Sequence, residues 1–73
     1  MVKKIKLSTA EDLKEFMNIA WNSAEDIGVH DPIGQIADAK SILGLISLDY
    51  SQPVKVVTED MKFIKKIERW SAE

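Results

Sequence analysis

Cysteine is absent from this 73-residue chain, so neither a disulfide framework nor a thiolate metal site can supplement the core. A reducing cytoplasm is therefore the expected home. With a single histidine, the chain groups too few ligands for a metal site, and neither a metal nor another cofactor is expected. No apolar run approaches the roughly 18 residues of a membrane span. Lys3, Lys4 and Lys6 are not followed by the apolar core of a signal peptide. The expectation is a soluble, unexported protein without a membrane partner. Ser-His-Asp chemistry, a glycine-rich phosphate loop and a carboxylate pair backed by other catalytic groups are all missing, so no catalytic activity of its own is expected. Turn-forming residues occur singly between periodic segments, without repeats, linkers or low-complexity tracts. Residues 1–73 read as one compact domain, and one this small buries only roughly 60% of the surface its unfolded chain exposes.

Charge is nearly balanced. Ten basic against twelve acidic residues leave a net charge of -2, which gives no overall pull toward nucleic acid, and none is expected as a partner. Locally the charges separate. Lys62, Lys65, Lys66 and Arg69 share one helical face, while Glu11, Asp12 and Glu15 crowd the start of an earlier helix. Both are read as solvated faces. The alternative is a docking surface for a charged protein or, for the basic face, a nucleic acid.

The pattern predicts the order β-α-β-β-α-β-α. Residues 2–8 alternate, with Ile5 and Leu7 on one side and Lys4 and Lys6 on the other, as in a strand covered on one face. Ser8 and Glu11 fit a capping box for a first helix, whose Leu13, Phe16, Met17, Ala20 and Ala24 recur at helical spacing. Trp21 lies beside that stripe and is a candidate contact residue. Ile27 and Val29 suggest a second strand, and Asp31-Pro32-Ile33-Gly34 a reversal into a third through residues 35–40. Ser41 is placed to cap a short helix carrying Ile42, Leu43, Leu45, Ile46 and Leu48. Being apolar on nearly every side, that helix is expected to lie largely buried. Pro53 opens a fourth strand in which Val54 and Val56 alternate with Lys55, although Val57 blurs the register. Residues 58–60 introduce a last helix that buries Phe63, Ile64, Ile67 and Trp70. The fold class is α+β: a four-stranded, mainly antiparallel sheet with three helices on one face and solvent on the other.

The run Ala37-Asp38-Ala39-Lys40-Ser41-Ile42-Leu43-Gly44-Leu45-Ile46-Ser47-Leu48 resembles the regulatory-serine segment of HPr, the phosphocarrier of the bacterial sugar phosphotransferase system. HPr proteins also share the predicted element order, an open-faced β-sandwich. The resemblance implies a phosphoacceptor histidine where the first strand meets the first helix, in a Gly-x-His-Ala-Arg-Pro-like motif. Here that junction reads Ser8-Thr9-Ala10-Glu11-Asp12-Leu13, with Ala10 near the histidine position. It has no histidine, arginine or proline. Glu11 and Asp12 bring negative charge to a place where the family has a cation, and would repel a phosphoryl group. The same acids suit a helix N-terminus when no phosphate is bound. Thr9, Ala10, Glu11 and Asp12 therefore form a degenerate phosphocarrier junction.

Ser41 is left as the residue on which the resemblance bears most directly, since in Gram-positive HPr proteins the matching serine is phosphorylated by a dedicated kinase as a catabolite signal. It either caps its helix and nothing more, or accepts phosphate there. Lys40, Ile42, Leu45 and Ile46 are the recognition candidates around it. His30, the only histidine, is expected to point outward beside Asp31 as a solvated residue. The implied function is an HPr-like protein that acts by protein contact in sugar uptake or catabolite regulation. Its implied partners are phosphotransferase-system components, HPr kinase or a transcriptional regulator. The alternative is an active phosphocarrier component phosphorylated on Ser41 or His30.

Overall fold

In a computed structural model that describes residues 1–73, strands and helices alternate in the expected order. They are β1 (Val2–Ile5), α1 (Ala10–Trp21), β2 (Ile27–His30), β3 (Ile36–Asp38), α2 (Ile42–Ile46), β4 (Val54–Thr58) and α3 (Met61–Lys66), the last extended by a 3-10 turn (Glu68–Trp70). The strands form one antiparallel sheet in the order β1-β4-β2-β3. With three helices over one face, this is the open-faced sandwich that the periodicity predicts. No helix is long and apolar enough to cross a membrane.

Alternation along the strands decides which side chains are covered. Ile5, Ile27, Val29, Val54, Val56 and Thr58 are buried under the helices. Phe16 and Ala20 of α1, Phe63 of α3, and Ile67 and Trp70 beyond it fill the layer above them. The rings of Phe63 and Trp70 meet Phe16 edge-on at 5.6 and 6.3 Å between centroids. That geometry suits the ring quadrupoles. The opposite face consists of two cross-strand rows fixed by the register. One row is Val2, Val57, Gly28 and Asp38; the other is Lys4, Lys55, His30 and Ile36. Val57 thus belongs to the open face, and the apparent break in alternation is a valine facing outward.

Several boundaries differ from the sequence expectation, each for a local reason. The β1 ladder to β4 stops at Ile5, and the Lys6 N–H instead donates to the Trp70 carbonyl. An Ile5–Ser71 bridge and a bond from Ala72 N–H to the Lys4 carbonyl continue that contact, so residues 70–72 flank β1. Thr9, one residue beyond Ser8, caps α1 by accepting from the Asp12 N–H at 3.0 Å. That helix ends at Trp21, leaving Ala24 exposed outside it. The third strand is confined to Ile36–Asp38, because the Asp38 carboxylate accepts from the Lys40 N–H and turns the chain. The larger correction concerns α2. Only Leu45 of that helix is buried, while Ile42, Leu43 and Ile46 are 58, 80 and 57% exposed. A five-residue helix beside the three-residue β3 has too little neighbouring surface to cover its outer side.

The turn after β2 is held by a buried acid. Asp31 Oδ1 accepts from the Ile33 and Gln35 N–H groups, and Oδ2 accepts from Gln35 Nε2 and the Asp49 N–H at 2.7 and 3.0 Å. Gly34 completes the reversal at φ 91°, a left-handed conformation that glycine adopts without steric cost. Through Asp49 the same carboxylate ties this turn to the segment after α2. Tyr50 in that segment donates its hydroxyl to the Leu45 carbonyl, fastening α2 from below.

Candidate functional site

At the junction between β1 and α1, Thr9 supplies the cap oxygen, and Ala10, Glu11 and Asp12 make the first turn. Ala10 and Glu11 face solvent and Asp12 is half-buried. The acids complement the partial positive charge of the helix start. A shallow cleft of about 220 Å³ lies beside them between Leu7, Leu13 and Tyr50, with no basic residue in its lining. Arg69 is committed one turn further along, paired with Glu15 and stacked 4.3 Å from the Trp70 ring centroid. The cleft beside the junction is therefore lined by no histidine and no basic side chain, and its polar side chains are the Ser8, Thr9 and Tyr50 hydroxyls.

The region around Ser41 is built differently. Ser41 holds the N-cap position of α2 with extended backbone, and its carbonyl accepts from the Leu45 N–H at 2.9 Å. Its hydroxyl makes no cap bond, a departure from the expected side-chain cap. That leaves an exposed hydroxyl without a structural duty. Lys40, its neighbour, is half-buried and donates from Nζ to the Ser23 carbonyl at 2.7 Å, stapling the start of α2 to the segment after α1.

Of the recognition candidates, Ile42 and Ile46 stand on the surface, whereas Leu45 is fully buried. Leu45 is corrected to a core residue, since it is the side of α2 that meets the sheet layer. Leu43, expected to be buried because the helix is apolar on nearly every side, is the most exposed apolar side chain of the group. Trp21, 66% exposed, adjoins this surface from the end of α1. It shares a small cleft of about 130 Å³ with Met17, Lys14, Lys40 and Ile42. The outcome is a contiguous apolar surface with lysines at its border and a free serine hydroxyl at its edge. Such a patch, rimmed by polar groups, is what a protein contact surface requires.

His30 is not part of it. It lies on the open sheet face, in the row opposite Lys55, and lines the basin there with Lys4 and Ile36, away from the α2 surface. The structure thus gathers Lys40, Ser41, Ile42 and Ile46 into one region and leaves both His30 and the Thr9–Asp12 junction outside it. The exposure of Leu43 was hidden in the sequence because an apolar helix carries no sign of which side lacks a neighbour. Trp21, lying off the apolar stripe of α1, was the one legible signal.

The chain matches no known protein family, no curated protein and no solved structure.

Proposed function

We propose that this chain is an HPr-like cytoplasmic protein that acts by protein contact in sugar uptake or catabolite regulation, and does not carry phosphate on histidine. The observation that supports it most is the uncovered apolar side of α2. Ile42, Leu43 and Ile46 stand free beside Ser41, and Trp21 extends the surface onto α1. Exposing three large aliphatic side chains and an indole costs a small domain part of its burial energy, and a partner's surface recovers it. The acidic, histidine-free start of α1 supports the second half of the reading, since charge repulsion there opposes phosphoryl transfer. The partners are phosphotransferase-system components, HPr kinase or a transcriptional regulator.

A second reading, an active phosphocarrier component modified on Ser41 or His30, draws support from the hydrogen-bond-free Ser41 hydroxyl. Two incubations followed by intact mass separate them: enzyme I with phosphoenolpyruvate, and HPr kinase with ATP. The leading reading expects no adduct in the first incubation. An acid-labile phosphate there would overturn it in favour of a carrier. An acid-stable phosphate in the second, lost in Ser41→Ala, would make Ser41 a regulatory acceptor on a contact surface. Leu43→Asp should leave the fold intact and abolish binding to whichever of these proteins binds the parent.

A further inference from the structure

The open face of the sheet carries a second constellation, away from Ser41 and independent of it. The register sets Lys4 directly opposite Lys55 and Lys55 directly opposite His30, with Ile36 ending the row. Like charges facing one another across a sheet lower stability. Neither lysine is relieved by an ion pair, because the ion pairs of the molecule join Lys3 to Glu68 and Glu73, and Arg69 to Glu15. The register therefore sets two lysines side by side, with a histidine next in line, and neither ammonium group is paired with a carboxylate.

The row lines a concave basin of about 450 Å³, within the usual range of about 300–1,000 Å³ for small-molecule sites. Asp31 also borders it, but both oxygens of its carboxylate accept hydrogen bonds from Ile33, Gln35 and Asp49. Pro32 and Pro53 stand at the rim, where their fixed φ stiffens the two loops, and Ile36 provides one apolar wall. The His30 Nε2 lies 3.9 Å from where a Gly28 side chain would begin, so the ring leans along β2 over bare backbone. The face carries no phenylalanine, tyrosine or tryptophan to stack a nucleobase, which disfavours a single-stranded nucleic acid. A compact anion fits both the size and the two unpaired ammonium groups, whose charge exceeds that of the one carboxylate bordering the basin.

We propose that this basin binds a small phosphorylated metabolite, a phosphomonoester dianion held by Lys4 and Lys55 beside the His30 ring, with its carbon skeleton against Ile36 and Pro53. Bound phosphate oxygens accept from both ammonium groups, and the repulsion between Lys4 and Lys55 becomes a shared attraction.

Titration of the isotope-labelled protein with inorganic phosphate, and separately with glycerol phosphate, at constant ionic strength tests this by amide chemical shifts. Saturable shifts confined to Lys4, His30, Lys55 and the two rim loops are expected. Lys4→Gln and Lys55→Gln should each weaken binding by about fivefold or more, and Lys65→Gln on α3 should leave it unchanged. Both basin variants should melt no lower than the parent, since each removes a like-charge contact, which distinguishes lost binding from lost fold. Shifts that grow without saturation at every lysine would overturn the proposal. So would unchanged affinity in the basin variants, or tighter binding of a glutamate-rich peptide than of either phosphate compound.

Discussion

Tyr50 and Asp31 show how single groups hold the segments that carry the proposed binding surfaces. Tyr50 is half-buried under α2, and burial first, with the charge of Asp31 second, pushes its phenol up to about 12 from the ordinary 10.0. The unfolded chain ionises first as pH rises, so the neutral phenol's contribution is intact below about pH 10 and lost as the pH climbs toward 12. As the only tyrosine, it gives an unambiguous ultraviolet titration: phenolate should form near pH 12 in the native protein and near 10 in denaturant. Tyr50→Phe removes one of the two donors to the Leu45 carbonyl, leaving the Leu48 N–H at 3.2 Å, and should cost about 1 kcal/mol in urea unfolding. Asp31 has the opposite sign. Burial opposes its ionisation, but the hydrogen bonds from Asp49, Gln35 and Ile33 outweigh that and hold the carboxyl below its usual range. Its stabilisation is present above the ordinary carboxylate value and lost as pH falls through the lower native one. Asp31→Asn should accordingly be less stable than the parent at neutral pH. Its melting temperature should also fall less steeply between about pH 5 and about pH 2.

Among the elements, α2 carries both a core side chain, Leu45, and the surface proposed for contact. Gly44 sits in its middle, and a side chain there would come within 3.2 Å of Ser41 Oγ and 3.4 Å of Ala37 Cβ. Because the Ser41 hydroxyl is exposed and makes no hydrogen bond, it can rotate away. Gly44→Ala should therefore gain helix propensity and raise stability by about 0.5–1 kcal/mol, read from thermal melts. The strands and α1 were legible because alternation and helical spacing coincide with burial in Ile5, Val54, Val56, Phe16 and Ala20. The inside-out reading of α2 arose because hydrophobicity records what a side chain prefers, and Leu43 has nothing beside it to satisfy the preference. The cap of α1 shifted from Ser8 to Thr9, since both residues can accept from the first turn and only the path of the chain chooses between them. The facing of Lys4 and Lys55 was illegible for a different reason. Residues so far apart in the chain become neighbours only through strand register, which no local pattern encodes.

For the molecule as a whole, a core cluster of fourteen buried residues leaves little reserve, and Phe16, against which Phe63 and Trp70 both pack, is its centre. Phe16→Ala should cost about 3–5 kcal/mol, a large part of the roughly 4–11 kcal/mol that a chain of this length commands. Circular dichroism should find a folded population that is small or lost at room temperature. Tryptophan emission reports the same core. Trp70 is buried and Trp21 exposed, so Trp21→Phe should leave a blue emission that moves to the red only on unfolding. The run of residues 70–72 along β1 has a consequence for how copies of the molecule can meet. One border of the sheet already has backbone partners along residues 4–6. The other, β3, is three residues long and carries Asp38. A sheet with a single free border can join one other copy through it, and there the joining stops. Fibre growth by lateral strand addition has no second border from which to continue.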